Sequence, residues 1–168
     1  MKVLNSIFVF VFSLIYSLME IEIEGKNGWC KELPTAKNVC KDFTLYHLLM
    51  NVLIIITFLK IFYSRGMFDV IFYTTGFFLI EDFLWFVLNP NFTIKRYTKE
   101  NIPWHKDWMM GIPTANFVGF AIFAISIIMS ENTHELCTSL VVFVILITLA
   151  ILVSPFYHNF YYKIRNEI

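Results

Sequence analysis

The chain contains few charged residues. Only 15% of its 168 residues are charged and 58% are hydrophobic, including 19 phenylalanines, whereas about 25% are charged in an average soluble domain. A chain this short and this apolar is better explained by membrane helices than by a soluble core, so we predict a membrane protein. Its 13 basic and 13 acidic residues cancel, which argues against a nucleic-acid partner.

Several signatures of familiar chemistry are also missing. The three cysteines, Cys30, Cys40 and Cys137, form no Cys-x-x-Cys pair, so a local thiol redox or zinc motif is excluded. The sequence has no Gly-x-Ser-x-Gly nucleophile elbow, no phosphate-binding loop and no dinucleotide fingerprint. It shows no internal repeat, low-complexity tract or linker, and we therefore predict a single membrane domain over residues 1–168.

Long apolar segments are what the sequence does contain. Each approaches or exceeds the roughly 17–25 residues of a spanning helix, and none alternates like a barrel strand. The segments cover residues 3–19, 45–63, 67–88, 112–129 and 136–157. We expect an all-α, polytopic bundle of about five transmembrane helices. The first segment also fits a signal peptide, although no small-x-small cleavage site follows it, so the sequence leaves that alternative open.

The basic residues are unevenly distributed between the two sides of the predicted bundle. With five spans, the loops 20–43 and 89–111 and the tail after residue 158 lie on one side. Ten of the 13 lysines and arginines fall there, and three (Lys2, Lys60 and Arg65) fall on the other side. Because basic loops stay in the cytoplasm, we expect a multi-pass protein of the cell membrane with its N-terminus outside and its C-terminus inside.

Two adjacent acids, Glu81 and Asp82, interrupt the third apolar segment. An acid at the middle of a membrane helix costs about 2.5–3.5 kcal/mol on insertion scales, so such residues are functional candidates by default. Glu81, Trp85 and Asn89 follow one another at intervals of four residues, which puts them on one helix face. The competing interpretation is a buried polar network that holds helices together.

Other polar and aromatic residues are predicted near the same membrane face. They are Trp104, His105 and Trp108 in the next loop, His158 and Tyr162 near the end of the fifth segment, and His47 near the start of the second. The tryptophans also suit an interfacial aromatic belt. The histidines could act as acid/base groups, and Glu81, Asp82, His105 and His158 are weak candidate ligands for a divalent metal.

The first long loop begins with three glutamates that alternate with isoleucines, from Glu20 to Glu24. Alternation of this kind predicts a short extended segment rather than a continued helix. Two interpretations of the segment stay open: a solvated acidic surface, or a lid over the cytoplasmic mouth of the bundle.

Three segments carry a resemblance. Residues 80–90 (IEDFLWFVLNP), the Pro103-Trp104-His105 loop with Trp108, and residues 22–29 (EIEGKNGW) resemble a family of small uncharacterised prokaryotic integral membrane proteins. The resemblance implies an integral membrane fold with its polar residues around Glu81, Asp82 and His105. Relatives carry an acid soon after the proline that corresponds to Pro113, whereas residues 114–116 here contain none.

The leading hypothesis is a membrane-embedded enzyme that acts on a lipid-like substrate at the cytoplasmic face. Glu81, Asp82, His105 and His158 would then be the catalytic residues, as general acids or bases. The alternatives are an assembly or scaffold subunit that docks on another membrane protein, and a small transporter or proton relay. Membrane lipids are the expected partners in the first case.

Overall fold

The protein folds as a bundle of five helices in the residues that the structure describes. The structure is a computed structural model, and it describes residues 2–25, 28, 33–37, 39, 43–102 and 104–165. The helices are α1 (Lys2–Glu24), α2 (Leu45–Phe62), α3 (Met67–Leu88), α4 (Thr114–Met129) and α5 (Thr133–Ile164). Two-residue strands β1 (Trp108–Met109) and β2 (Ile112–Pro113) form an antiparallel hairpin before α4. The all-α prediction is confirmed.

Four of these helices, α1, α2, α3 and α5, are long and apolar enough to cross a membrane. Helix α4 has 16 residues, which is about 24 Å at 1.5 Å per residue and shorter than a hydrocarbon core of about 30 Å. The predicted third segment, 67–88, has the same bounds as α3. Helix α5 extends beyond its predicted range at both ends.

The prediction of an extended segment from Glu20 to Glu24 is wrong. Helix α1 continues through Glu24, so Glu20 and Glu24, four residues apart, share one face. Glu22 points elsewhere and pairs with Arg165 just after α5. The alternation of glutamate and isoleucine suggested the two-residue period of a strand. In the structure the relevant spacing is four residues, since Glu20 and Glu24 line the same cavity.

Helix α3 occupies the centre of the bundle and packs against the four other helices. Helix α1 approaches it closely through two buried serines, whose small side chains let the backbones come together. Ser13 Oγ lies 3.3 Å from the carbonyl oxygen of Phe77, and Ser17 Oγ lies 2.9 Å from that of Glu81. These contacts fix the part of α3 that carries the two adjacent acids.

An aromatic layer fills the middle of the bundle. The ring of Phe77 on α3 contacts Phe12 of α1 and Phe58 of α2, with ring centroids 5.6 and 5.4 Å apart. Phe77 lies between Asp69 and Glu81 along α3. The layer therefore separates two polar clusters, one towards each end of the helix.

The first polar cluster, which we call the Arg65 cluster, consists of Arg65, Asp69, Ser130, Asn132 and Glu135. Arg65 pairs with Asp69 at 3.2 Å and with Glu135 at 2.6 Å. Ser130 Oγ and Asn132 Nδ2 donate to the Asp69 carboxylate at 2.5 and 3.1 Å. Both oxygens of Asp69 therefore accept hydrogen bonds, and the cluster fastens the start of α3 to the turn between α4 and α5.

Candidate functional site

The second polar cluster lines a half-open cavity of about 460 Å³ between α1, α2, α3, α4 and the loop that precedes α4. The volume falls within the range of about 300–1,000 Å³ typical of ligand sites. The polar lining residues are Tyr16, Glu20, Glu24, His47, Asn51, Thr75, Glu81, Asp82, His105 and Asn116. Four of them are acids, and none of the described lining residues is lysine or arginine.

Glu81 forms the buried centre of this cavity. Its residue is only 8% exposed, and the Glu20 carboxyl lines the same cavity close enough to interact with it electrostatically. Two carboxylates offer only acceptors, so a hydrogen bond between them requires a proton on one of them. No N–H or O–H group of the described residues donates to Glu81 Oε1. The pair can therefore hold a proton, and it presents an acceptor without a donor.

Asp82 and His105 face each other across the same cavity. His105 Nε2 lies 4.0 Å from Asp82 Oδ1, and the two side chains are 20% and 36% exposed. Burial lowers the pKa of the His105 imidazole, because charge is disfavoured away from water. Nε2 has no hydrogen-bond partner within the described part of the chain. Burial therefore favours the neutral imidazole of His105, and its Nε2 faces the cavity without a hydrogen bond from the described residues.

The loop before α4 holds His105 in place. Trp108 Nε1 donates to the His105 carbonyl oxygen at 2.8 Å, and the His105 amide donates to the Ile102 carbonyl at 3.3 Å. Trp108 belongs to the β1–β2 hairpin, whose turn residues Met110 and Gly111 have φ of 51° and 80°, as a two-residue type I′ turn requires. Trp108 therefore positions the histidine through its backbone.

A second histidine reaches the cavity from the start of α2. His47 Nε2 lies 3.2 Å from Glu24 Oε1, and its Nδ1 lies 2.8 Å from Thr44 Oγ1. Thr44 also caps α2 by accepting from the His47 amide. The sequence predicted His47 as part of this site but missed its partner Glu24. The spacing of Glu20 and Glu24 was the signal that could have identified both acids.

Two predicted tryptophans form an aromatic wall of the cavity. The rings of Trp85 and Trp104 meet edge to face, with centroids 6.2 Å apart. Trp85 is 4% exposed, and its Nε1 has no partner among the described residues. Gly28 of the first loop is buried against both rings. Of the predicted lid, Lys26, Asn27 and Trp29 lie outside the described residues.

The structure does not bring His158, Tyr162 and Asn89 to the cavity. His158 Nε2 lies 3.0 Å from the Val87 carbonyl oxygen, and the Tyr162 hydroxyl donates to the Pro90 carbonyl at 3.4 Å. Asn89 is fully buried and caps the end of α3. The contacts of His158 and Tyr162 join α5 to the end of α3, and Asn89 ends that helix.

The metal hypothesis gains no support from the described geometry. No group of three or more histidine, cysteine, aspartate or glutamate side chains in the described part of the chain is arranged to hold a metal ion. Glu81, Asp82 and His105 line one cavity, but His158, the fourth candidate, contacts backbone elsewhere. Carboxylate and imidazole groups such as these can accept and donate protons.

The fold and cavity define a class of protein: a helix bundle with long apolar helices and an acidic cavity. No protein-family model, no curated protein and no solved structure matches the chain. The function must therefore be inferred from the cavity itself.

Proposed function

We propose that the protein is a multi-pass membrane enzyme that acts on a lipid-like substrate at the cytoplasmic face. Four helices with the length and apolarity of membrane spans support the location. The excess of basic residues in the loops at the cavity end supports the orientation. In this arrangement the cavity lies below the cytoplasmic surface, where a membrane lipid can reach it.

The rim of the cavity supports entry of the substrate from the membrane. Helices α2 and α4 both pack against α3 and make little contact with each other. Ile55 of α2 and Ala115 of α4 are exposed and also line the cavity, as is Phe43 just before α2. An apolar opening between two helices admits an acyl chain without removing it from lipid.

The observation that carries the proposal is the convergence of two acid/base pairs on one cavity. His105 is the group that takes a proton, since burial favours its neutral form and Nε2 is free of hydrogen bonds among the described residues. The Glu20–Glu81 pair is the group that holds and returns a proton. Two titratable groups in different environments are what general acid–base catalysis requires.

The alternatives receive less support. An assembly subunit would use its acids in ion pairs with lysine or arginine. The acids of the Arg65 cluster are paired in this way, whereas no lysine or arginine lies among the described lining residues of the cavity. A transporter or proton relay needs a polar path between the two sides, whereas the aromatic layer around Phe77 lies between the two clusters.

Lipid turnover by the purified protein tests the proposal. Vesicles made from total lipid of the expression host, with the protein reconstituted, are incubated and their lipids compared by mass spectrometry over time. We expect a lipid species to disappear with wild type and to persist with Glu81→Gln and with His105→Gln. Glu131→Gln, an exposed acid outside the cavity, is the matched control and keeps wild-type turnover. Equal turnover by all four proteins would show that the cavity is not catalytic.

A further inference from the structure

We infer that the ligand of this cavity is an amphiphile whose head group is a protonated amine. The inference rests on the proposed function only in that the ligand is taken to enter from the membrane. It adds the charge and the hydrogen-bonding character of the head group, which the proposed function leaves undefined.

The charge of the cavity is the first argument. Glu20, Glu24, Glu81 and Asp82 line it, without a lysine or arginine among the described lining residues. Even when Glu20 and Glu81 share one proton, three negative charges remain against the two histidines His47 and His105, so the described lining stays negative. A phosphate or carboxylate head group would meet like charge there, whereas a cation would be attracted.

The unsatisfied acceptor is the second, independent argument. Glu81 is more than nine-tenths buried, lines the cavity, and has no donor to its Oε1 within the described residues. A buried acceptor without a donor is costly and rare in folded proteins. An ammonium group would supply an N–H donor to this oxygen and a positive charge beside the carboxylate.

The aromatic wall is consistent with the same head group. Trp85, Phe86 and Trp104 line the cavity next to the acids, and the rings of Phe86 and Trp104 are nearly parallel, 13° apart. Cations bind over the faces of such rings. Ile55, Phe78 and Leu79 provide the apolar lining that an alkyl tail needs.

Four probes test the proposal on the full chain in phosphatidylcholine nanodiscs. Displacement of tritiated octylamine is measured with unlabelled octylamine, octyltrimethylammonium, octanoate and methylamine. We expect octylamine to bind at least tenfold more tightly than octanoate, since only octylamine is a cation. Octylamine should also bind more tightly than octyltrimethylammonium, which donates no hydrogen bond, and more tightly than methylamine, which has no alkyl tail.

Variants connect the binding to Glu81. We expect Glu81→Gln and, separately, Asp82→Asn to weaken octylamine binding at least tenfold, while Glu131→Gln binds as wild type does. The size-exclusion profile and melting temperature of each variant establish that it is folded. Because Asp82 is partly exposed, Asp82→Asn gives a second test that does not depend on the buried position.

Two results would overturn the inference: octanoate binding as tightly as octylamine, or unchanged octylamine binding in both folded cavity variants. The result is separable from the proposed function. Octylamine binding without lipid turnover would sustain the ligand class and refute catalysis. Turnover of a purely anionic lipid without octylamine binding would support catalysis and refute the ligand class.

Discussion

Two buried acids on α3 show how environment decides what a residue does. Asp69 is 1% exposed, and both of its oxygens accept hydrogen bonds from Arg65, Ser130 or Asn132. Glu81 is similarly buried, but its Oε1 has no donor among the described residues. A buried polar group without a partner costs about 1–3 kcal/mol. The contrast is what a stabilising role for Asp69 requires, and it supports the proposal that Glu81 binds the ligand.

His105 should make the stability of the protein depend on pH. Burial puts the folded-state pKa of His105 below the unfolded value of about 6.5, so the unfolded chain binds the proton more readily. The contribution of neutral, buried His105 to the free energy of unfolding is therefore complete above about pH 6.5. It is lost as the pH falls through the lowered pKa of the folded state. We expect the melting temperature of wild type to fall more between pH 7.5 and 5.0 than that of His105→Gln.

The matched control for this experiment is His134→Gln, because His134 is exposed on the other side of the bundle. It should retain the pH response of wild type. If His105→Gln and wild type lost stability in parallel, the burial of His105 would not be the cause.

Gly28 should tolerate alanine less well than Gly25 does. Both have φ near +60°, where an L-residue is strained by roughly 1–2 kcal/mol. A Cβ at Gly28 would also lie 3.2 Å from Cη2 of Trp85 and of Trp104, whereas one at Gly25 would meet nothing within 4 Å. We expect Gly28→Ala to lower the melting temperature more than Gly25→Ala and to change tryptophan fluorescence. Equal losses of melting temperature in the two variants would mean that backbone strain alone is responsible and that Gly28 is not packed tightly against the indoles.

At the scale of elements, the Arg65 cluster is expected to hold the start of α3 against the α4–α5 turn. Asp69→Ala leaves Arg65 with one carboxylate fewer and removes the acceptor of Ser130 and Asn132. Removing one partner of a buried ion pair costs about 3–5 kcal/mol. We expect a large loss of thermal stability in detergent.

The control for Asp69→Ala is Glu131→Ala, which removes an exposed acid in the same turn. It should leave the melting temperature nearly unchanged, since exposed charges contribute little. A small effect of Asp69→Ala would mean that the cluster is not needed to dock the two elements.

The sequence predicted the helices better than it predicted the cavity. Helix α3 was predicted with its observed bounds because a continuous apolar run and the Asn89-Pro90 pair mark its end. Glu81 and Asp82 were predicted as site residues from the cost of placing acids in an apolar helix, and His105 from its place in the loop expected at the same membrane face. Each of these inferences used only local sequence.

What the sequence did not reveal depends on contacts between distant elements. Glu20 and Glu24 join the site because α1 packs against α3 through Ser13 and Ser17. Their spacing puts the two acids on one helix face, but no local pattern encodes the helix against which that face packs. His158 was placed with His105 because both were expected at one membrane face. A shared face does not fix a shared cavity, and α5 packs at the end of α3 instead.

At the scale of the whole molecule, the two polar clusters give the bundle a direction. The acids of the Arg65 cluster are paired with Arg65. The cluster lies at the end with the short α2–α3 and α4–α5 turns, which carry few basic residues. The acidic cavity lies at the end where the long, lysine-rich loops connect the helices. Because basic loops stay inside, this polarity predicts the orientation of the protein.

Single cysteines test that orientation directly. With Cys30, Cys40 and Cys137 replaced by serine, Glu131→Cys puts a thiol in the α4–α5 turn and Glu100→Cys puts one in the loop before α4; both positions are exposed. We expect a membrane-impermeant maleimide to label Glu131→Cys in intact cells and to label Glu100→Cys only after permeabilisation. The reverse pattern would place the cavity at the outer face, and its substrate would then be drawn from the outer leaflet. Labelling of both positions in intact cells would mean that these two loops do not lie on opposite sides of a sealed membrane.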